Sequence, residues 1–390
     1  VSERFIVKGL EPFIGRHCET TALKRVLDYH GLSLSEEMLL GLGGGIGFIY
    51  WYMKMMPAPF VGGRSGKGTD FVTNICRRIG AEVTIMETAS SRKGYEELKA
   101  ILGTGEPVVV YGDMAYLPYF AIPEVAHFGG HVFVVFGLDE AGDRVHIYDR
   151  SNKPVTVTRA DLARARGSRF PPFPPKHRLL KIKYPPRLKN LEAGIKESIQ
   201  ECCRGMLEAP ITNLGLSGMR KWAKLVTKWP EQFSGMNLLG ALMNGFIYIE
   251  TGGTGGSAFR PMYARFLEEA SEITREPALN KVAALMRQSA LVWSQIASGL
   301  MPDSRPALKR MRELMIEKNQ LFEEQGQDAL VAMNKINEDT DSLMGQAVKD
   351  LAAAPPDFLS GVQQSILKCH SLEQGAFQTL RSVISKEGLK

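Results

Sequence analysis

The proline-rich stretch Phe170-Pro171-Pro172-Phe173-Pro174-Pro175, with Pro185-Pro186 soon after it, separates two hydrophobic rhythms and limits what this chain can fold into. Proline fixes its own φ and offers no backbone donor, so neither a helix interior nor a central strand continues through such a stretch. Before it, short apolar runs predict strands at 81–86, 108–111, 132–136, 145–148 and 155–157, with a last one at 179–183. Beyond it the spacing is helical through 191–207, 216–228, 238–249, 258–273 and 279–300, and in at least three segments broken by Pro302, Pro306 and Pro355-Pro356. At 390 residues the chain exceeds one ordinary core. We therefore expect two domains, 1–186 and 187–390, the second all-α. Helices ahead of the strands make the first an α+β domain with an antiparallel sheet.

After an extended lead-in over residues 1–14, Cys18 precedes a helical pattern of Ala22, Leu23, Val26 and Leu27 that should end at Gly31. Ser35 suits the N-cap of a short helix running to Leu40, and helices are expected at 71–79 and 95–102. A cysteine at a helix start gains thiolate character. Downstream, His131 heads one strand and Asp149 closes the next, with Asp139, Gly142 and Asp143 as the turn between them. Attack of a thiol on an acyl carbon needs a base, a group that orients the base and donors for the oxyanion. Cys18, His131 and Asp149 supply the first three. Taken singly, each also suits a packing or turn role.

The segments Gly15-Arg16-His17-Cys18, 41–47 with Phe48 and Tyr50, 131–135 and 148–152 resemble the N-terminal domain of the butirosin biosynthesis protein H family, and more distantly papain-like folds such as bacteriocin-leader peptidase domains. Residues 251–260, with Met262 and Tyr263, resemble the helical domain that follows in that family. The resemblance implies an N-acyltransferase of specialised metabolism. An acyl group on a phosphopantetheine thioester, carried by an acyl carrier protein or CoA, would pass through Cys18 to an amine, with His131 as base and Asp149 as its orienting acid. No bound cofactor is implied. Papain-like enzymes often carry a Gln ahead of the nucleophile for the oxyanion, whereas this chain has Pro12 and Phe13 there. The Cys18 N–H remains, with His17 and Tyr50 as further oxyanion or pocket candidates. A hydrolase or peptidase with the same three residues, and a non-catalytic binding protein, stay open as alternatives.

Elsewhere, the glycine run before residue 257 suggests a second site. Gly253, Thr254, Gly255 and Gly256, with Ser257 as N-cap of the next helix and Arg260 for charge, could hold a pantetheine phosphate or a carboxylate, or simply form a tight turn. Gly62–Thr69 fails the P-loop spacing at Val61 and Gly68, leaving Arg64 and Lys67 as contacts for an acidic carrier or a phosphate. A net charge of +6 without a basic tail argues against nucleic acid. Five sparse cysteines and no signal-like start favour the cytoplasm. The apolar stretch 38–56 is interrupted by Gly41, Gly43, Gly44, Gly45, Gly47 and Lys54, so we expect a buried turn near the active site and no membrane span. His127 and His131 flank Gly129-Gly130, which argues against a helical metal pair. The oligomeric state stays open, a homo-oligomer included.

Overall fold

The computed structural model describes residues 3–54, 56–64, 68–355 and 357–386. In chain order, the first half gives β1 (Arg4–Ile6), α1 (Cys18–Tyr29), α2 (Glu36–Leu42), β2 (Ile49–Trp51), β3 (Phe60–Gly62), α3 (Asp70–Ile79), β4 (Glu82–Met86), α4 (Ser91–Leu102), β5 (Val108–Gly112), β6 (His131–Asp139), β7 (Arg144–Tyr148), β8 (Val155–Val157), α5 (Arg159–Gly167) and β9 (Leu179–Lys183). The second half gives α6 (Leu191–Leu207), α7 (Gly215–Val226), α8 (Trp229–Gln232), α9 (Gly235–Ile249), α10 (Arg260–Thr274), α11 (Ala278–Leu300), α12 (Pro306–Gln325), α13 (Leu330–Ala352) and α14 (Ser360–Lys386). No helix among the described residues is long and apolar enough to cross a membrane.

These elements divide into two compact units, and neither is one continuous stretch. The first takes Val1–Leu39, Gly68–Lys189 and Lys318–Asn337; the second takes Leu40–Lys67, Asn190–Glu317 and Glu338–Lys390. The expected cut at 186/187 falls beside one of these divisions. Residues 40–67 and 318–337 each go with the other half of the chain, which periodicity alone does not reveal.

The first unit is α+β. Its sheet runs β4-β9-β5-β6-β7-β8, with β1 pairing to the far end of β6, and every pairing is antiparallel. All five residues of β5 and most of β6 are buried, as their unbroken apolar runs require. Helix α1 packs on β6 and β5. Gly142 N–H bonds to Asp139 Oδ1 at 2.9 Å and Asp143 takes φ 49°, which together turn β6 back into β7. Helix α5, absent from the sequence reading, starts on a reciprocal capping box between Thr158 and Asp161.

In the second unit the helices enclose a hairpin, β2 with β3, so the unit is not purely helical. Phe48 stacks on Trp222 at 5.7 Å, and Trp222 on Trp293 at 5.9 Å. A salt bridge lies among them. The Arg260 guanidinium, 0% exposed, reaches Glu373 Oε1 at 2.8 Å and Oε2 at 2.9 Å, and its remaining donors meet the carbonyls of Ala258, Gly47 and Gly63. Ser289 and Trp293 also donate to Glu373.

This arrangement corrects two expectations. Arg260 is saturated by Glu373 and backbone carbonyls, so it is not free to meet a phosphate or a carboxylate ligand. Ser257 is not an N-cap: it opens a left-handed turn in which Ser257, Ala258 and Phe259 all have positive φ (48°, 50° and 73°), and Phe259 caps α10. Such residues cost roughly 1–2 kcal/mol each in L-peptides. Arg260 offsets that cost by holding the Ala258 carbonyl. The turn is also packed against Gly63, where a Cβ would crowd Ala258. The glycine run therefore serves backbone approach: Thr254 Oγ1 bonds to Ile249 O at 2.8 Å, Gly253 N–H to Thr251 O at 2.9 Å, and Gly255 and Gly256 take φ of 66° and 84°.

Removing one member of a buried ion pair leaves an uncompensated charge and costs about 3–5 kcal/mol. Arg260→Leu should lower the unfolding free energy of the full chain by that amount in urea titrations, and Arg260→Leu with Glu373→Leu should lower it by less.

Candidate functional site

The start of α1 is held by a carboxylate from the next helix. The N-cap residue, His17, makes no side-chain capping bond. Instead, Glu36 in the first turn of α2 accepts from the Arg16 N–H at 2.9 Å, the His17 N–H at 3.4 Å, Thr20 Oγ1 at 2.9 Å and Thr21 Oγ1 at 2.7 Å. Burial pushes the Glu36 carboxyl up, against the pull of these donors. A Cβ at Gly15 would overlap Thr21, so only glycine lets the chain enter the helix here. The Gly15 N–H then bonds to Arg150 O at 2.8 Å, joining the loop ahead of Cys18 to the segment after Asp149.

Strand pairing sets the other half. Val134 faces Tyr148, so His131 at the head of β6 lies opposite the residues that follow β7. His131 Nε2 meets Asp149 Oδ2 at 2.6 Å, and Cys18 lies near enough to the same imidazole to help raise its pKa. Of the three residues picked out from sequence, His131 and Asp149 are hydrogen-bonded to each other. Cys18 is partly exposed, whereas Cys76, Cys202, Cys203 and Cys369 are buried. Burial pushes the Cys76 thiol up to about 12 and Cys202 up to about 11.

Asp149 is fully enclosed and fully hydrogen-bonded. Tyr119 Oη donates to Oδ2 at 2.8 Å and the Arg150 N–H to Oδ1 at 2.7 Å. Burial alone would raise its pKa; the charge of His131 and these donors overcome it, and the carboxyl is held below its usual value. Burial likewise works to lower His131, but Asp149 and then Cys18 outweigh it and raise the imidazole to about 9. Burial, and then Asp149, hold the Tyr119 phenol well above its usual value, so it stays a donor.

An aromatic wall closes over the pair. Phe120 meets His131 edge-on at 5.0 Å, and Phe322 lies 4.7 Å from Phe120 and stacks on Tyr119 at 6.1 Å. Phe322 belongs to 318–337, the segment that returns to the first unit. That segment is fastened by Glu323 O to the Asn152 N–H at 2.7 Å, Arg150 to Glu323 at 3.2 Å, and Lys318 Nζ to Ala121 O at 2.6 Å. Burial lowers Lys318 to about 8.

The His17 ring is buried, edge-on to Phe71 at 5.7 Å and 3.7 Å from Glu19. Tyr50 lies in the hairpin of the second unit, 2% exposed, with its hydroxyl accepting from Trp229 Nε1 at 3.3 Å. Arg64 lies over the Phe259 ring at 5.8 Å, and Lys67 is outside the described residues. Sequence reasoning missed Tyr119, Phe322, Glu36 and Arg25. Only Arg25 left a signal: it falls on the stripe of Cys18 and Ala22, a charge on the face that packs inward.

Residues 17–150 match the family model described as butirosin biosynthesis protein H, N-terminal, and residues 160–330 match a domain of unknown function (DUF4872). No curated protein matches the chain.

Two outcomes follow from the buried pair. A histidine raised from 6.5 to about 9 contributes stability that is complete below 6.5 and is lost as pH rises through about 9. Unfolding free energy measured in urea should therefore decline between pH 7 and pH 10, and His131→Gln should flatten that decline. Tyr119→Phe removes one charge-assisted bond from Asp149 and should cost about 1.5–3 kcal/mol in the same titration.

Proposed function

We propose, from the domain architecture of the butirosin biosynthesis protein H family that this chain has, that it is a biosynthetic enzyme and specifically a cysteine-dependent N-acyltransferase on a papain-like domain. What supports the reading is the buried His131–Asp149 hydrogen bond, with every side-chain oxygen of the acid engaged and Cys18 close enough to act on the imidazole. An imidazole raised to about 9 holds its proton at neutral pH, between the carboxylate and the sulfur.

The Cys18 sulfur, its proton on His131, attacks the carbonyl carbon of a phosphopantetheine thioester borne by a carrier protein or CoA. A bond forms from Cys18 Sγ to that carbon. The donor C–S bond then breaks, and the departing thiol takes the proton from His131. The first N–H groups of α1, which have no partner within the helix, are the donors this reading assigns to the charge that develops on oxygen. In the second half an amine attacks the acyl-enzyme, His131 takes up the amine proton, the C–S bond to Cys18 breaks, and Cys18 is released as a thiolate beside the protonated ring, the state from which the cycle began. Asp149 keeps the ring in one orientation throughout and does not itself take up the proton. Phe120 and Phe322 keep water from the imidazole, which favours an amine over hydrolysis.

Incubation with the acetyl thioester of N-acetylcysteamine should add one acetyl group to the wild type by intact mass, at Cys18 on peptide mapping. Cys18→Ala should take none, and His131→Gln should acylate about 10²–10⁴-fold more slowly. A wild type that takes no acyl group would sink the proposal. Release of the acyl group to water in preference to added amines would move the assignment to a hydrolase.

A further inference from the structure

We propose that Arg25 is a positioning residue, the buried fork that keeps the helix bearing Cys18 in register with Asp149. It lies on α1 two turns beyond Cys18 and is 2% exposed. Nη1 donates to Glu11 O at 2.8 Å, and Nη2 to Phe13 O at 2.9 Å, Asp149 O at 3.1 Å and Ser151 O at 3.3 Å. One guanidinium thereby ties three separate segments: the lead-in loop, the helix and the turn after β7. The rings of Phe13 and Tyr148 lie against it at 4.3 Å and 4.4 Å and fix its plane.

Its partners are backbone carbonyls, and the charged or titratable groups facing it are Tyr148, Asp149, Glu36 and Asp28. Burial lowers it to about 10, so it is still a cation at neutral pH. A residue needed only for charge balance would sit on a carboxylate. One that spans four carbonyls acts through geometry, which a lysine ammonium with its tetrahedral donors cannot copy. The Asp149 backbone is thus located from the Cys18 helix, and its carboxylate is located on His131. The sulfur and the acid share one reference point.

The inference rests on reading Cys18 and His131 as a reactive pair, so its test avoids an acyl donor. Iodoacetamide alkylation of the full chain would be followed from pH 5 to pH 10, with the His131 Cε1–H resonance titrated alongside and assigned by its loss in His131→Gln. Arg25→Lys, folded by circular dichroism, should alkylate at least tenfold more slowly at pH 7, with the His131 midpoint lower by about one unit. Arg25→Gln serves if the lysine variant does not fold. Val26→Ala, a core truncation on the same helix, should lower the melting temperature and leave the profile unchanged. Arg25 variants that lose stability yet keep the wild-type profile would overturn the proposal. A wild type with the expected alkylation profile but no thioester acylation would overturn acyl transfer and leave the role of Arg25 standing.

Discussion

A carboxylate taken out of water must be compensated by donors close enough to replace its hydration, and the first unit is arranged around one such group. Asp149 has its side-chain oxygens on His131, Tyr119 and the Arg150 N–H, and its own carbonyl on Arg25. Each donor comes from a different part of the chain: the head of β6, the short helical turn after β5, the backbone after β7, and α1. Satisfying this one acid therefore fixes the relative placement of four segments. The orientation of the imidazole beside Cys18 is a by-product of that requirement.

The two units handle buried charge differently. Arg260 and Glu373 neutralise each other directly and are closed to any third party. In the first unit the cation Arg25 and the acid Glu36 are satisfied by neutral polar groups, and Asp149 meets His131. His131, hydrogen-bonded to Asp149 and close to the partly exposed Cys18, keeps a titratable ring. A saturated salt bridge such as Arg260 with Glu373 has no donor left for a ligand.

Much of this was legible because period and punctuation agree. The apolar runs at 108–111, 132–136 and 145–148, with Asp139 and Gly142 between the last two, are strand and hairpin chemistry, and they bring residue 131 beside residue 149 without further help. Helix α1 was equally plain. Helix α5 hid behind arginines whose polarity masks its short buried face, although Thr158 and Asp161 mark its start. The glycine run misled because the pattern of a capped helix start and that of a left-handed turn call for the same residues, and only packing against Gly63 tells them apart. Tyr50, Phe322 and Tyr119 carry no local signal, since their placement depends on contacts between residues far apart in sequence.

Segment 318–337 has a temporal meaning as well as a spatial one. Synthesis proceeds from the N-terminus, and the sheet strands through Lys183 leave the ribosome long before Phe322 and Glu323 exist. Until those residues emerge, the ring that meets Phe120 and the carbonyl that meets Asn152 are missing, and most of the second unit's residues are made first. A nascent chain thus acquires Cys18 and His131 early and the aromatic cover of His131 late, after most of the polypeptide has been made.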